Sequence, residues 1–494
     1  MNSEKMETQI AVIGSGGAGL TAAVAASEKG ADVIVLEKRH ALGGNSAMAE
    51  GFLAAESPAQ KRMKIDARRD EIFRMAMEYA HWRLNARIVR AFVNKSGDTV
   101  KWLEDKGMYF DWIPSYFPGQ RILTWHCLKK RGAELIEVLV RECKDKGVRI
   151  LRETGAKKLL ADDKGKITGV IAGAKEKEIM ITAGCIIIAT GGYGGNEELL
   201  RKYNPYYSEN VVRKGIPHMG DGLLMATEIG AATEGLGLLQ FSGHTPHDAA
   251  DDLLVTSDEP NTIWINKKGE RFTDEATSFN RFESVNAVLR QPGRFCYTIL
   301  DRKIVQDIEQ KGVIKGAGCV VLPCTRLPGL EKALKSAEEK GNAKIADSWD
   351  EIAEWMEVKP AVLKTTIDEY NVYCNNGYDE DFAKDRLYLQ ALRTPPFYAL
   401  KCYPRFLGTI GGIKINHHME VLDHEDNPIP GLYAAGVDTG GWESDTYNAV
   451  LSGTTFGFAL NSGRIAGEKA ATYVKAAFGE YQSGSLTQHG VPGK

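Results

Sequence analysis

Residues Thr8 to Ile13 form a short, β-branched and nearly all-apolar run that ends abruptly in Gly14-Ser15-Gly16-Gly17-Ala18-Gly19. Such a run suits a strand buried on both faces of a parallel sheet. An Ala-rich helical stretch follows to Glu28, then Gly30 and a second apolar run from Ala31 to Leu36. The glycines at 14, 16 and 19 therefore lie in a strand-turn-helix context. There they permit a tight turn, a close approach of backbone to a pyrophosphate, and close packing of the helix on the strand. Glu37 ends the second run 18 residues after Gly19, where an acid accepts hydrogen bonds from ribose hydroxyls and repels a 2′-phosphate. The pattern predicts an α/β fold with a Rossmann-like parallel sheet and a dinucleotide at the first helix N-terminus.

A second loop sharpens this. Lys38-Arg39-His40-Ala41-Leu42-Gly43-Gly44-Asn45-Ser46 puts two glycines and two small polar residues close behind the ribose acid. Backbone of this kind can wrap a diphosphate and a ribityl chain, which simple NAD dehydrogenases do not need. Other classes are excluded by composition. With 62 Lys+Arg against 65 Asp+Glu and a net charge of -3, the chain lacks the basic excess of a nucleic-acid binder. Its longest apolar runs, such as Cys185 to Ala189, are far shorter than the roughly 20 residues that cross a bilayer. The polar start runs directly into a strand pattern, so no membrane insertion is expected and the chain reads as cytoplasmic. The eight cysteines are scattered, none in Cys-x-x-Cys, and the histidines are unclustered. Reduced structural thiols and no metal site are the expectation.

Further motifs recur in a definite order. Ile186-Ile187-Ile188-Ala189-Thr190-Gly191-Gly192 reads as a buried strand entering a Gly-rich turn, and Gly220-Asp221-Gly222 heads a helical stretch. Trp264 to Phe272 reads as a hairpin, and Leu432-Tyr433-Ala434-Ala435-Gly436 precedes a long helix over Gly453 to Tyr473. Together these resemble the FAD-dependent family of fumarate reductase and succinate dehydrogenase flavoproteins, L-aspartate oxidases and 3-ketosteroid dehydrogenases. The likeness covers nearly the whole chain. It implies an FAD-binding domain over residues 1–240 and 395–480, interrupted by an α+β cap over 241–394, with a flexible tail over 481–494. For FAD it implies contacts from Gly14, Ser15, Gly16, Ala18, Gly19, Glu37, Lys38, Gly43, Gly44, Asn45, Ser46, Ala49, Gly51 and Ala156. Thr190, Gly191, Asp221, Gly436, Asp438, Gly453, Thr454 and Thr455 complete the set. Asp221 also fits a plain helix cap, and Asp438 stands where the family has Glu. No His lies between Ala41 and Tyr79, so the FAD is expected to be non-covalent. A second strand-embedded Gly-x-Gly-x-x-Gly is missing, which implies an external donor, either a reduced soluble compound or a redox protein.

The resemblance also locates the chemistry. In fumarate-reducing members an Arg on the cap supplies a proton while hydride leaves the flavin, and alignment places Arg281 there. A guanidinium of pKa above 12 acts as an acid only if promptly reprotonated, and otherwise polarises the acceptor. A structural Arg paired with Glu275 or Glu283 is the alternative. The family's His-Thr-Met-Gly-Gly appears as Gly408-Thr409-Ile410-Gly411-Gly412, and its carboxylate-binding Arg falls in Tyr447-Asn448-Ala449-Val450-Leu451, which has none. The family's Ser/Thr-Glu pair aligns to Leu254-Val255. A dicarboxylate is therefore not expected. Trp442, Gly408, Thr409 and Val450, with Phe406 and Trp125 nearby, suggest a lining for a bulky ring-bearing substrate. Tyr447 falls in register with the Tyr of the ketosteroid dehydrogenases that bonds a 3-keto oxygen. The leading expectation is reduction of a conjugated alkene in a bulky apolar, aromatic or polycyclic substrate. Hydride removal from a ring ketone, or an electron-transfer flavoprotein subunit, are the alternatives.

Overall fold

The first strand, β1 (Ser3–Ile13), leads into the glycine turn from its buried C-terminal end, where Ile10, Ala11 and Val12 are wholly buried while Glu4, Lys5 and Glu7 are exposed. It pairs in parallel with β2 (Val33–Leu36) on one side and with strand Lys177–Ile188 on the other. The computed structural model, which describes residues 3–174 and 177–485, extends this sheet to the order 420–422, 428–434, 177–188, 3–13, 33–36, 149–151. Two further strands, Gly155–Ala161 and Ile167–Ala174, add an antiparallel ladder to Lys177–Ile188, as the alternating sequence there predicts. Helix α1 (Gly17–Glu28) covers one face, and the C-terminal helix Thr454–Ser485 lies against it. Gly463 and Gly467 make that approach possible, because a Cβ on either would meet the Ala18 or Ala22 carbonyl oxygen at 2.3 and 2.2 Å. This helix continues through Ser485, so the expected tail begins helical, and its remainder, 486–494, lies outside the described residues.

A second, six-stranded sheet is built on the 17-residue strand Phe397–Ile413. Its first half pairs with Cys296–Asp301 and Ala343–Ala346, and its second half with Thr233–Thr245. One strand therefore runs from the cap to the cofactor side. The cap has its own hydrophobic core, containing Trp264, Ile299, Tyr370 and Tyr398, whereas Phe241, Phe282, Val285 and Leu289 join the larger core of the nucleotide-binding sheet. The hairpin at Trp264 to Phe272 is present, with Asn266 N donating to Glu270 O at 2.9 Å. Its Arg271 is buried in an ion-pair network: bidentate to Glu275 at 2.8 Å, 2.8 Å from Asp379, with Lys384 3.0 Å from Glu275. No helix among the described residues is long and apolar enough to cross a membrane.

Candidate active site

The two glycine loops fold onto each other at the mouth of the parallel sheet. Gly43 N donates to Ser15 O at 3.0 Å, and Gly17 N donates to Ser46 Oγ at 2.9 Å. Gly14 has φ +107°, and an added Cβ would lie 2.2 Å from the Ala189 carbonyl oxygen, so only glycine fits. Gly19 serves packing, since its Cβ would strike Gly14 O at 1.9 Å. Helix α1 has no side-chain cap, which leaves the amide of Ala18, a residue that lines the cleft, without an intrahelical acceptor and free for an anion; Gly19 does not line the cleft. Glu37 accepts from Ser15 N at 3.1 Å, Ser15 Oγ at 2.6 Å and Arg39 N at 2.8 Å. Its carboxylate is thereby fixed at the cavity edge.

A single cleft of ≈ 390 Å³ connects these loops to the cap. Of the residues expected to contact the cofactor, Gly14, Ser15, Gly16, Ala18, Glu37, Lys38, Gly44, Asn45, Ser46, Ala49, Gly51 and Ala156 line it. Thr190, Gly191, Asp221, Gly436, Gly453 and Thr455 line its far side. Gly43 and Thr454 do not, and act as supports: Gly43 through the loop contact above, Thr454 by donating to Leu451 O at 2.6 Å. Asp221 is not the helix cap. Gly220 takes that place with φ +82°, and Asp221, in the first turn, forms a 2.5 Å ion pair with Lys38. Asp438 does not face the cleft. Its carboxylate accepts from Thr190 N, Thr190 Oγ1, Gly191 N and Gly192 N, and so pins the Ala-Thr-Gly-Gly turn. The elongated, glycine-walled cradle with an acid at one end and a free helix N-terminus at its middle fits FAD.

At the cap end the wall is aromatic. Tyr116 lies 5.1 Å from Trp125 and 6.2 Å from Phe282, and Phe282 lies 4.5 Å from Tyr447, measured between ring centroids. All four line the cleft, as do Gly408 and Thr409. Thr409 Oγ1 is already engaged, accepting from Tyr193 N at 3.0 Å. Trp442 and Val450 stay outside. Trp442 stacks on Phe458 at 4.5 Å and donates to Thr439 O, and the Val450 carbonyl accepts from Gln120. Phe406 is likewise core. The Tyr447 hydroxyl is pushed up to about 12 by burial and by Glu443, against relief from Thr455.

Arg281 heads helix Arg281–Leu289 and reaches the cleft, and its Nη2 is buried without a hydrogen-bond acceptor. Neither expected partner holds it, because Glu275 binds Arg271 and Lys384 while Glu283 accepts from Tyr79. Behind it lies Asp258, 3.8 Å from Arg281, 3.8 Å from Arg405, 3.6 Å from Lys315 and 3.4 Å from His244 Nδ1. Burial would raise the Asp258 carboxyl, but Lys315, His244, Arg405 and Arg281 hold it down at about 2. Burial opposes charge on Arg281, yet Tyr116, Asp258, Glu50 and Glu259 keep its pKa above the ordinary value. Arg405 is pushed down to about 10 by burial and by Arg281, and Lys315 is lowered by burial. Sequence reasoning missed Asp258, Lys315, Arg405, Glu50, Tyr116 and His218. Asp258-Glu259 was discernible as an acid pair just before the hairpin, four residues beyond Leu254-Val255 where alignment sought one.

Fold and site define a flavin-dependent oxidoreductase. The chain belongs to the FAD binding domain family, whose pattern matches residues 9–453. It is 33% identical over 482 residues to the vinyl phenol reductase of Lactiplantibacillus plantarum, covering 94% of this chain and 96% of that one. It is 26% identical to the digoxin reductase of Eggerthella lenta, covering 88% of this chain and 82% of the relative. Among solved structures, the open conformation of a flavocytochrome c3 fumarate reductase matches with TM-score 0.74 and 29% identity over 95% of this chain and 79% of that one. The 3-ketosteroid Δ1-dehydrogenase of Sterolibacterium denitrificans, at 19% identity and TM-score 0.76 over 94% and 99%, shares the fold.

Proposed function

We propose that the protein reduces the conjugated C=C bond of a ring-bearing substrate, drawing electrons from an external donor through non-covalently held FAD. The observation that carries this reading is that Arg281, its Nη2 buried without a hydrogen bond and 3.8 Å from Asp258, lines a cleft walled by Tyr116, Trp125, Phe282 and Tyr447. Reduced FAD, when bound, supplies the hydride. The aromatic wall orients a ring and excludes water. The Arg281 guanidinium donates a proton to the carbon opposite the hydride, or polarises the group conjugated with the alkene. Asp258 keeps the guanidinium charged and, with Arg405 and Lys315 in contact, provides a route for its reprotonation. Neither Arg405 nor Lys315 lines the cleft, whereas Arg281 does, together with Lys214 on the segment beside Leu407 and Gly408. Gly408 and the Arg-free segment Tyr447 to Leu451 stand where fumarate-reducing members carry their carboxylate-binding His and Arg, which supports a substrate other than fumarate. The names of the two curated relatives above, a vinyl phenol reductase and a digoxin reductase, agree with this, whereas other relatives at 27–30% identity are named for fumarate. The reverse reaction would need a base, and Tyr447 near pKa 12 is a poor one.

The test is anaerobic reoxidation of the fully reduced enzyme by styrenes, cinnamates, enone steroids and fumarate, followed through flavin absorbance. Fast reoxidation by a ring-bearing class is expected, with fumarate inert; fast reoxidation by fumarate alone would refute the reading. Arg281→Met should lower the rate with the active class by roughly 10²–10⁴-fold while FAD content is unchanged. Acid precipitation should release all flavin into solution, and flavin remaining on the protein would overturn non-covalent attachment.

A further inference from the structure

Cys127 and Cys319 are 192 positions apart in sequence, yet their sulfurs lie 2.6 Å from one another. The expectation of scattered thiols fails at this pair. Cys127 ends the short strand Trp125–Cys127, which pairs with Gly51–Leu53, and Leu53 N in turn donates to Gly453 O at the start of the C-terminal helix. It belongs to the wall of the cofactor cradle. Cys319 lies on the tip of a cap loop over residues 313–325, closed at its base by Val313 N to Thr325 O and Cys324 N to Val313 O. The tip is a tight turn, with Ala317 N donating to Val321 O at 2.7 Å. It is seated on the cradle wall through Glu50, whose Oε2 accepts from Cys319 N at 2.8 Å. Gly318, with φ +57°, allows this seating because a Cβ there would lie 2.1 Å from Glu50 Oε2. Glu50 and Gly318 both line the cleft, so the two sulfurs meet at its rim.

We propose that Cys127 and Cys319 form a reversible disulfide that fastens the cap loop to the cradle wall and closes the substrate cleft. The oxidant is a low-molecular-weight disulfide. Cys319, half-exposed, attacks one of its sulfurs as a thiolate, which forms a mixed disulfide and expels a thiolate that takes up the proton Cys319 has lost. Cys127 Sγ then attacks Cys319 Sγ, and the second small thiol leaves with the Cys127 proton. Two protein thiols are oxidised and one small disulfide is reduced to two thiols. Cys127 is buried and Cys319 is not, which assigns the first attack to Cys319; contact with Cys319 and burial also hold Cys127 protonated. A cross-link at this point joins cap to cradle across the rim, so substrate and product exchange slow when it is present and recover on reduction.

The experiment uses the FAD-loaded protein with Cys324→Ser, which removes the exposed thiol on the same loop. Treatment with oxidised glutathione should give an intact mass lower by two hydrogens and a Cys127–Cys319 peptide. It should also protect residues 313–325 against hydrogen exchange, and dithiothreitol should reverse each effect. Turnover of the active alkene should fall roughly tenfold or more, consistent with a gated site. Cys319→Ser should keep the reduced enzyme's activity and lose the response, and Cys319→Ala is the second variant should the first fold poorly. Glutathione adducts on the two cysteines separately, or a cross-linked enzyme with unchanged turnover, would overturn the proposal. The loss of turnover rests on the proposed alkene reduction, but the peptide and exchange measurements need no substrate. An inactive substrate panel would therefore count against that function, and the missing cross-link against this switch.

Discussion

Glu443 is the buried acid whose removal should be most informative. The residue is 4% exposed, accepts from Asn448 N at 3.3 Å, and forms no salt bridge among the described residues. Burial pushes its carboxyl up to about 8, against the partial relief of the Asn448 and Ser444 amides. The unfolded chain would ionise it near 4.3. Between these values the native state holds a proton that the unfolded state has released. Its stabilising effect is thus complete below about pH 4 and is lost as the pH rises through about 8. The slope approaches ~1.4 kcal/mol per pH unit, or roughly 5 kcal/mol across the whole window. Glu443→Gln keeps the shape and an acceptor for Asn448 N but cannot ionise. The variant should therefore match the native protein near pH 5 and exceed its stability by ~3–4 kcal/mol at pH 8. Urea unfolding of the FAD-saturated proteins at pH 5, 6, 7 and 8 measures the difference. A stability difference that stays constant with pH would refute the argument, because it would mean that Glu443 ionises alike in both states.

Three other substitutions probe separate parts of the fold. Gly14→Ala, with φ +107° and a Cβ 2.2 Å from a backbone oxygen, should yield protein lacking flavin, measured as the ratio of flavin to protein absorbance. Lys384→Met leaves Glu275 and Asp379 facing Arg271 alone in the cap core. It should cost ~3–5 kcal/mol by urea unfolding, and no loss would show that the network is solvated. Gly408 borders open space, with nothing within 4 Å of an added Cβ. Gly408→Leu should therefore fold and bind FAD normally while kcat/KM for the bulkiest active substrate drops roughly tenfold or more relative to the smallest, and an equal effect on both would refute a steric role for this position.

The cofactor cradle was legible in the sequence because backbone geometry dictates residue type there. Gly14 admits no side chain, Gly17 N and Gly43 N need nearby acceptors from the facing loops, and each requirement is local enough to show as spacing. The proposed catalytic end obeys no such rule. Glu50, Asp258, Arg281, Lys315 and Arg405 come from five separate segments, and the 17-residue strand Phe397–Ile413 is what carries Arg405 to the others. Periodicity likewise cannot separate an aromatic residue that faces a cleft from one that fills a core. Tyr116 and Trp442 are both large and apolar in their surroundings, but one lines the cleft and the other stacks on Phe458. Asp438 shows the same limit for a polar residue. A carboxylate next to Gly436 reads equally as a ligand for ribityl hydroxyls or as a clamp for backbone amides. Four donors from Thr190, Gly191 and Gly192 decide for the clamp, because a carboxylate so occupied has little acceptor capacity left for a cofactor hydroxyl.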